Sequence, residues 1–153
     1  MSIFKLIVIF LIINFGALAL GSWLMDGGST STWYMELNKA PWTPPGWLFG
    51  VAWSFIMLCF SFYMAYLYKA VPTTTVKILF AVQFVLNVSW DYIFFNQHLV
   101  GLGLLVIVLL TILIAVFLFA YNKQQRLKSL FILPYLIWLC IATSLNAYIL
   151  FNN

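Results

Sequence analysis

Five long apolar runs, joined mostly by short connectors, leave this chain little to become except a bundle of membrane-spanning helices. A helix needs roughly 20 apolar residues to cross a hydrocarbon core, and inside that core each backbone amide and carbonyl must find its partner within the chain. Runs of that length fall at about Ile3 to Leu20, Trp47 to Tyr68, Ile78 to Gln97, Leu99 to Tyr121 and Leu130 to Leu150. Charged residues make up 7% of the 153, against about 25% in a soluble domain, which removes the alternative of a water-soluble core. The expected fold class is all-α, an integral membrane bundle of five transmembrane helices forming a single domain over residues 1–153. Ser2 to Leu20 has the length of a signal peptide, but Asn14 interrupts it and no small-residue cleavage site follows, so it reads as a retained first helix.

Counting sides alternately puts Lys5, Lys69, Lys77, Lys123, Arg126 and Lys128 on one side and only Lys39 on the other, with Asp26, Glu36 and Asp91. The positive-inside rule then places the N-terminus in the cytoplasm and the C-terminus and long first loop outside it. Seven basic residues at span ends are a topology signal and not a nucleic-acid surface. Cys59 and Cys140 fall within apolar spans and read as small hydrophobes.

The connector Gly21 to Gly46 is the exception to short linkage, and long loops in compact proteins are commonly lids. It runs into Leu37 to Met57, which concentrates Pro41, Pro44 and Pro45 with Trp42, Trp47 and Trp53. Proline fixes the backbone and lacks an amide donor, so a rigid extended segment becomes helix only after Pro45. A stiff, aromatic, weakly charged corner suits a flat apolar ligand better than acid or base chemistry. Beyond it, Gly46, Gly50 and Ser54 repeat at one-turn spacing, read first as a packing seam within the chain and second as a dimer seam; Ala17 and Gly21 repeat it weakly.

Two later spans carry polar or aromatic stripes. Gln83, Asn87, Trp90, Asp91 and Phe94 share a face of the third, which must look inward because polar groups are costly against lipid. Tyr135, Trp138, Ala142, Leu145 and Asn146 do the same in the fifth. Asp91 is expected at the water-exposed rim, and the featureless fourth span is expected to be the most lipid-exposed. His98 has no second ligand at metal-binding spacing, so no metal site is expected. No nucleophile elbow, phosphate loop or paired catalytic carboxylate occurs, which excludes the common hydrolytic and nucleotide chemistries.

TWYMELNKAPWTPPGWLFGVAW, then LNVSWDYIFF, then LPYLIWLCIATSLNAYIL together resemble, in order and over the whole chain, the TspO/MBR family of translocator proteins, tryptophan-rich sensory proteins and peripheral-type benzodiazepine receptors. The resemblance implies a membrane receptor or sensor, often a homodimer, whose first loop caps a cavity for porphyrins, haem and isoquinoline or benzodiazepine compounds, with no cofactor required. Ligand-binding residues implied are Trp33, Tyr34, Pro41 and Trp42 from the loop, and Trp47, Phe49 and Trp53 from the second helix. Asn87 and Trp90 follow from the third, and Trp138, Ala142 and Leu145 from the fifth. Trp53 and Trp138 match tryptophans associated with light-dependent porphyrin breakdown, so the alternatives to a receptor are a photo-oxidative enzyme with those two as catalytic residues, or a tetrapyrrole translocator.

The family's usual K-P-x-W reads Lys39, Ala40, Pro41, Trp42 here. The sterol-recognition segment of animal members requires a tyrosine where this chain has Ala147, and no basic residue follows Tyr148. Both the missing segment and the missing basic tail point to a bacterial type of member, in the cell membrane, without sterol binding at that segment.

Overall fold

The computed structural model describes residues 1–153. Helical conformation takes up 84% of them and no strand forms, the solution hydrocarbon demands of a chain this apolar. The spans are α1 (Ile3–Leu24), α3 (Gly46–Ala70), α4 (Thr74–Trp90), α5 (Val100–Ala120) and α7 (Leu133–Phe151). Two short helices lie between them, α2 (Thr32–Met35) in the first loop and α6 (Asn122–Gln125) before α7. Five helical segments have the length and hydropathy to cross a membrane.

Each boundary has a local cause. Ser2 caps α1 by accepting from the Lys5 amide at 3.2 Å, and Thr73 caps α4 by accepting from Val76 at 3.3 Å. Pro45 is extended, with φ −63° and ψ 152°, and α3 starts at Gly46, as the missing proline amide requires. At the far end of α1, Asp26, Gly27 and Gly28 all have positive φ, a left-handed run that folds the chain back over the bundle. Pro134 stands at the start of α7, where no intrahelical donor is lost.

The ends of the bundle differ in charge. Lys69 donates to the Met1 carbonyl at 2.7 Å, which joins the N-terminus to the α3–α4 turn. At the other end Asn38 of the first loop exchanges hydrogen bonds with Asn152 and Asn153 after α7. Every basic residue except Lys39 therefore belongs to the first end.

Polar side chains inside the spans act as fasteners. Asn14 donates to the Ser61 hydroxyl at 2.9 Å, which in turn donates to the Met57 carbonyl at 2.7 Å, so the interruption noted in the first run is the α1–α3 clasp. Tyr63 on α3 donates to Phe117 of α5 and Gln125 donates back to Tyr63, both at backbone carbonyls.

Three expectations are revised. Gly50 has open space beside it and Ser54 is exposed, so of the three small residues only Gly46, where a Cβ would stand 3.1 Å from Ser29 Oγ, packs within the chain. α1 has the smallest buried share of any span, so it, and not α5, is the most exposed helix. Asp91 is only 7% exposed, because α1 runs on to Leu24 and covers it. A methyl group at Gly21 would collide with the Asp91 carboxylate, so glycine is what lets α1 and α4 meet there. Gly21→Ala should destabilise the fold by about 1–3 kcal/mol, the usual penalty of overpacking. Adding Asp91→Ala should restore most of that loss, as read by thermal melting of the detergent-solubilised protein.

Candidate functional site

After Trp90 the third span does not continue as an α-helix. Residues Asp91–Asn96 form a wider turn in which the Gln97 amide bonds to the Tyr92 carbonyl five residues back, at 3.0 Å. The extra residue in this turn lets the adjacent Phe94 and Phe95 both bury their rings, with 2% and 4% exposed. Trp90 stacks on Phe94 with centroids 5.1 Å apart, and Phe95 stands edge-on to both.

Tyr34 closes this aromatic cluster from the loop side, 5.4 Å from Phe95 and 6.5 Å from Phe94. Ser31 sets its position by capping α2 at the Tyr34 amide. From α7, Ala142, Leu145, Asn146 and Ile149 complete the wall, and Phe49 of α3 shuts the remaining side. The cavity is about 20 Å³, room for a single water, and no charged side chain lines it. Burial raises the Tyr34 phenol above its ordinary range, so it stays a neutral hydroxyl at physiological pH.

The polar groups at the wall are paired with one exception. The Trp90 indole donates to Asn146 Oδ1 at 3.0 Å and Asn146 Nδ2 donates to the Val100 carbonyl at 3.0 Å. Gly103 makes room for this arrangement, since a Cβ there would stand 3.3 Å from Asn146 Oδ1. Trp138 packs edge-on against Phe49 at 5.6 Å, and its indole Nε1 is the one buried side-chain donor or acceptor without a partner.

Tyr34 and Phe49 also face outward. On their far side lies a recess of about 390 Å³ lined by Lys39, Ala40, Pro44, Pro45 and Gly46. A second, of about 290 Å³ between α1 and α3, shares Phe49 and reaches Trp53. Two aromatic rings thus separate a minimal cavity from spaces of the size that hold small molecules, about 300–1,000 Å³.

The residues named from sequence are distributed unevenly around this arrangement. Tyr34, Phe49, Trp90, Ala142 and Leu145 line the cavity. Trp53 lies one turn below Phe49, edge-on to Tyr135 at 5.9 Å, and Trp138 stands behind Phe49. Asn87 points lower in the bundle, donating to the Tyr135 hydroxyl at 2.6 Å. Trp33 lies outside the cavity, stacked on His98 at 4.1 Å. Trp47 is 70% exposed on the first turn of α3, and Pro41 is exposed in the loop. Trp42 reaches across to α7, donating from Nε1 to the Ser144 hydroxyl at 3.1 Å with its ring edge-on to Tyr148. Phe94, Phe95, Asn146 and Ile149 complete the lining; of these, Phe94 and Asn146 already stood on the inward stripes.

The loop is thus a folded lid hydrogen-bonded to α7 and the residues after it at two points, Trp42 on Ser144 and Asn38 on Asn152 and Asn153. Lys39 stiffens it by donating to the Tyr34, Met35 and Leu37 carbonyls.

A five-helix membrane bundle whose first loop folds over an uncharged aromatic cavity is a narrow class of protein. Within that class the chain belongs to the TspO/MBR family, whose profile it matches over residues 7–151. It is 34% identical to a tryptophan-rich protein TspO of Chlorobaculum tepidum, over 90% of this chain and 94% of that one. It is also 34% identical to the protein CrtK of Rhodobacter capsulatus, over 77% of this chain and 76% of that one. With the human translocator protein the identity is 29%, over 78% of this chain and 73% of that one.

Ser144→Ala removes the acceptor of the Trp42 fastening. Losing one such bond, about 0.5–1.5 kcal/mol, should raise the rate of tryptic cleavage after Lys39 by about two- to tenfold, with the other basic sites as internal reference.

Proposed function

We propose that this protein is a membrane receptor or sensor that takes a flat, largely apolar ligand of the tetrapyrrole class, porphyrin or haem, under its lid. The observation that carries the proposal is the aromatic gate: Tyr34 and Phe49 line both the small inner cavity and the outer recess. Rotating these rings would merge the two spaces into one slot with Trp90, Phe94 and Phe95 as stacking surfaces. Lys39 lines the mouth, where its positive charge favours an anionic ligand edge although its three protons are held by lid carbonyls, while the uncharged interior suits the macrocycle. The unpaired Trp138 indole N–H offers a donor behind the gate. Isoquinoline and benzodiazepine compounds fit the same description of flat aromatic bodies. By the positive-inside rule, the lid and mouth face away from the cytoplasm. A homodimer formed through the outward Gly50 and Ser54 of α3 fits the reading.

A second reading, light-driven porphyrin oxidation, draws on the burial of two oxidisable indoles, Trp53 and Trp138, beside the gate. Transport across the bilayer has less support, since five helices provide no even inverted repeat.

Titrating the detergent-solubilised protein with protoporphyrin IX in the dark should give saturable quenching of tryptophan fluorescence. Phe49→Ala, which removes one ring of the gate, should speed association by several-fold in stopped-flow quenching. Non-saturable quenching, or association unchanged in Phe49→Ala, would overturn the gated pocket. Under illumination, loss of the porphyrin spectrum that disappears in Trp53→Phe or Trp138→Phe would favour the enzyme; a stable spectrum would leave the receptor.

A further inference from the structure

At the end of the bundle opposite the lid, α1, α3 and α4 leave a groove of about 260 Å³. Its walls are hydrocarbon, from Leu6, Phe10 and Ile13 of α1, Met64 of α3 and Phe80 of α4, and Lys77 stands at its edge. Apolar walls give no preference among lipid tails, because those tails are as apolar as the side chains. Any selectivity must come from the charged edge.

That edge has one sign. Lys5, Lys69 and Lys77 share this end, and all three acidic residues of the chain lie elsewhere, Asp26 and Glu36 in the lid and Asp91 at the lid-ward end of α4. The Lys69 amine is engaged by the Met1 carbonyl at 2.7 Å. The Lys77 amine lies 5.6 Å from the centre of the Tyr68 ring and holds no hydrogen bond within the chain. Lys77 also occupies the first turn of α4, where the helix terminus is itself positive and disfavours a cation. A negative ligand at this position would offset that repulsion.

We propose that the groove binds one anionic phospholipid, with an acyl chain along α1 and the phosphate held by Lys77. This site is separate from the lidded cavity and does not depend on what that cavity takes.

The full chain in mild detergent is mixed with equal amounts of dioleoylphosphatidylglycerol and dioleoylphosphatidylcholine, and retained lipid is read by native mass spectrometry. One phosphatidylglycerol should be retained with a preference of about fivefold, the increment one lysine contributes toward an anionic lipid. Lys77→Gln, at an exposed position, should lower the preference toward what Lys5 and the N-terminal amine of Met1 leave, and Lys77→Arg should keep it. Ile13→Trp, which fills the groove and leaves Lys77 intact, should lower the phosphatidylglycerol retained. Equal retention in the wild type, a preference undiminished in Lys77→Gln, or retention unchanged in Ile13→Trp would each overturn the proposal.

Discussion

The hydroxyl of Tyr135 is the point on which the upper half of the bundle rests. It is fully buried, accepts from Asn87 at 2.6 Å and donates to Gln83 at 3.0 Å, so it ties α7 to two successive turns of α4. Its ring is also edge-on to Trp53 and Phe60 of α3 at 5.9 and 5.0 Å. In hydrocarbon the apolar faces of helices have no preference for one another over lipid, so relative rotation is set by polar contacts and close packing. Fixing α3, α4 and α7 about this one side chain aims Phe49, Trp90 and Leu145 at a common point about one to three turns higher. The cavity is therefore a consequence of a contact outside it.

The lid depends on the same frame in a different way. Its backbone is held by Ser31, the left-handed turn at Asp26 to Gly28 and the Lys39 amine, while its placement over the bundle depends on Trp42 and Asn38 reaching α7 and the residues beyond it. Internal stiffness with few external fastenings is what lets a loop move as one body. The side chains it carries or covers, Tyr34 and Phe49, make no hydrogen bonds; the one charged contact of the pair is Lys39, whose amine lies 5.0 Å from the centre of the Tyr34 ring and belongs to the same lid.

Much of this was legible in the sequence, and the failures have identifiable causes. The five spans follow from length and hydropathy, and the start of α3 follows from Pro45. The inward stripes on α4 and α7 carry Asn87, Trp90, Tyr135 and Asn146, but nothing in the stripes says which polar group meets which. The positions of Trp42 and Trp47 could not be taken from a motif: Trp47 is two residues from Phe49, and two helical steps of about 100° put the pair on opposing sides. The burial of Asp91 was hidden because hydropathy ends α1 near Leu20, whereas the helix continues to Leu24 and covers it. The paired burial of Phe94 and Phe95 was not legible, since the inward stripe continued in ordinary helical phase reaches Phe94 and turns Phe95 about 100° away from it.

That last feature has a consequence for how the cage is built. The wide turn from Asp91 to Asn96 is in effect an α-helix carrying one residue too many, absorbed without breaking the span. Its register, more than the identity of any ring, decides what faces the cavity. Deleting a single residue there would return the segment to ordinary helical phase and swing the following side chains by about 100°, so that a chain with every aromatic still present would have lost a wall.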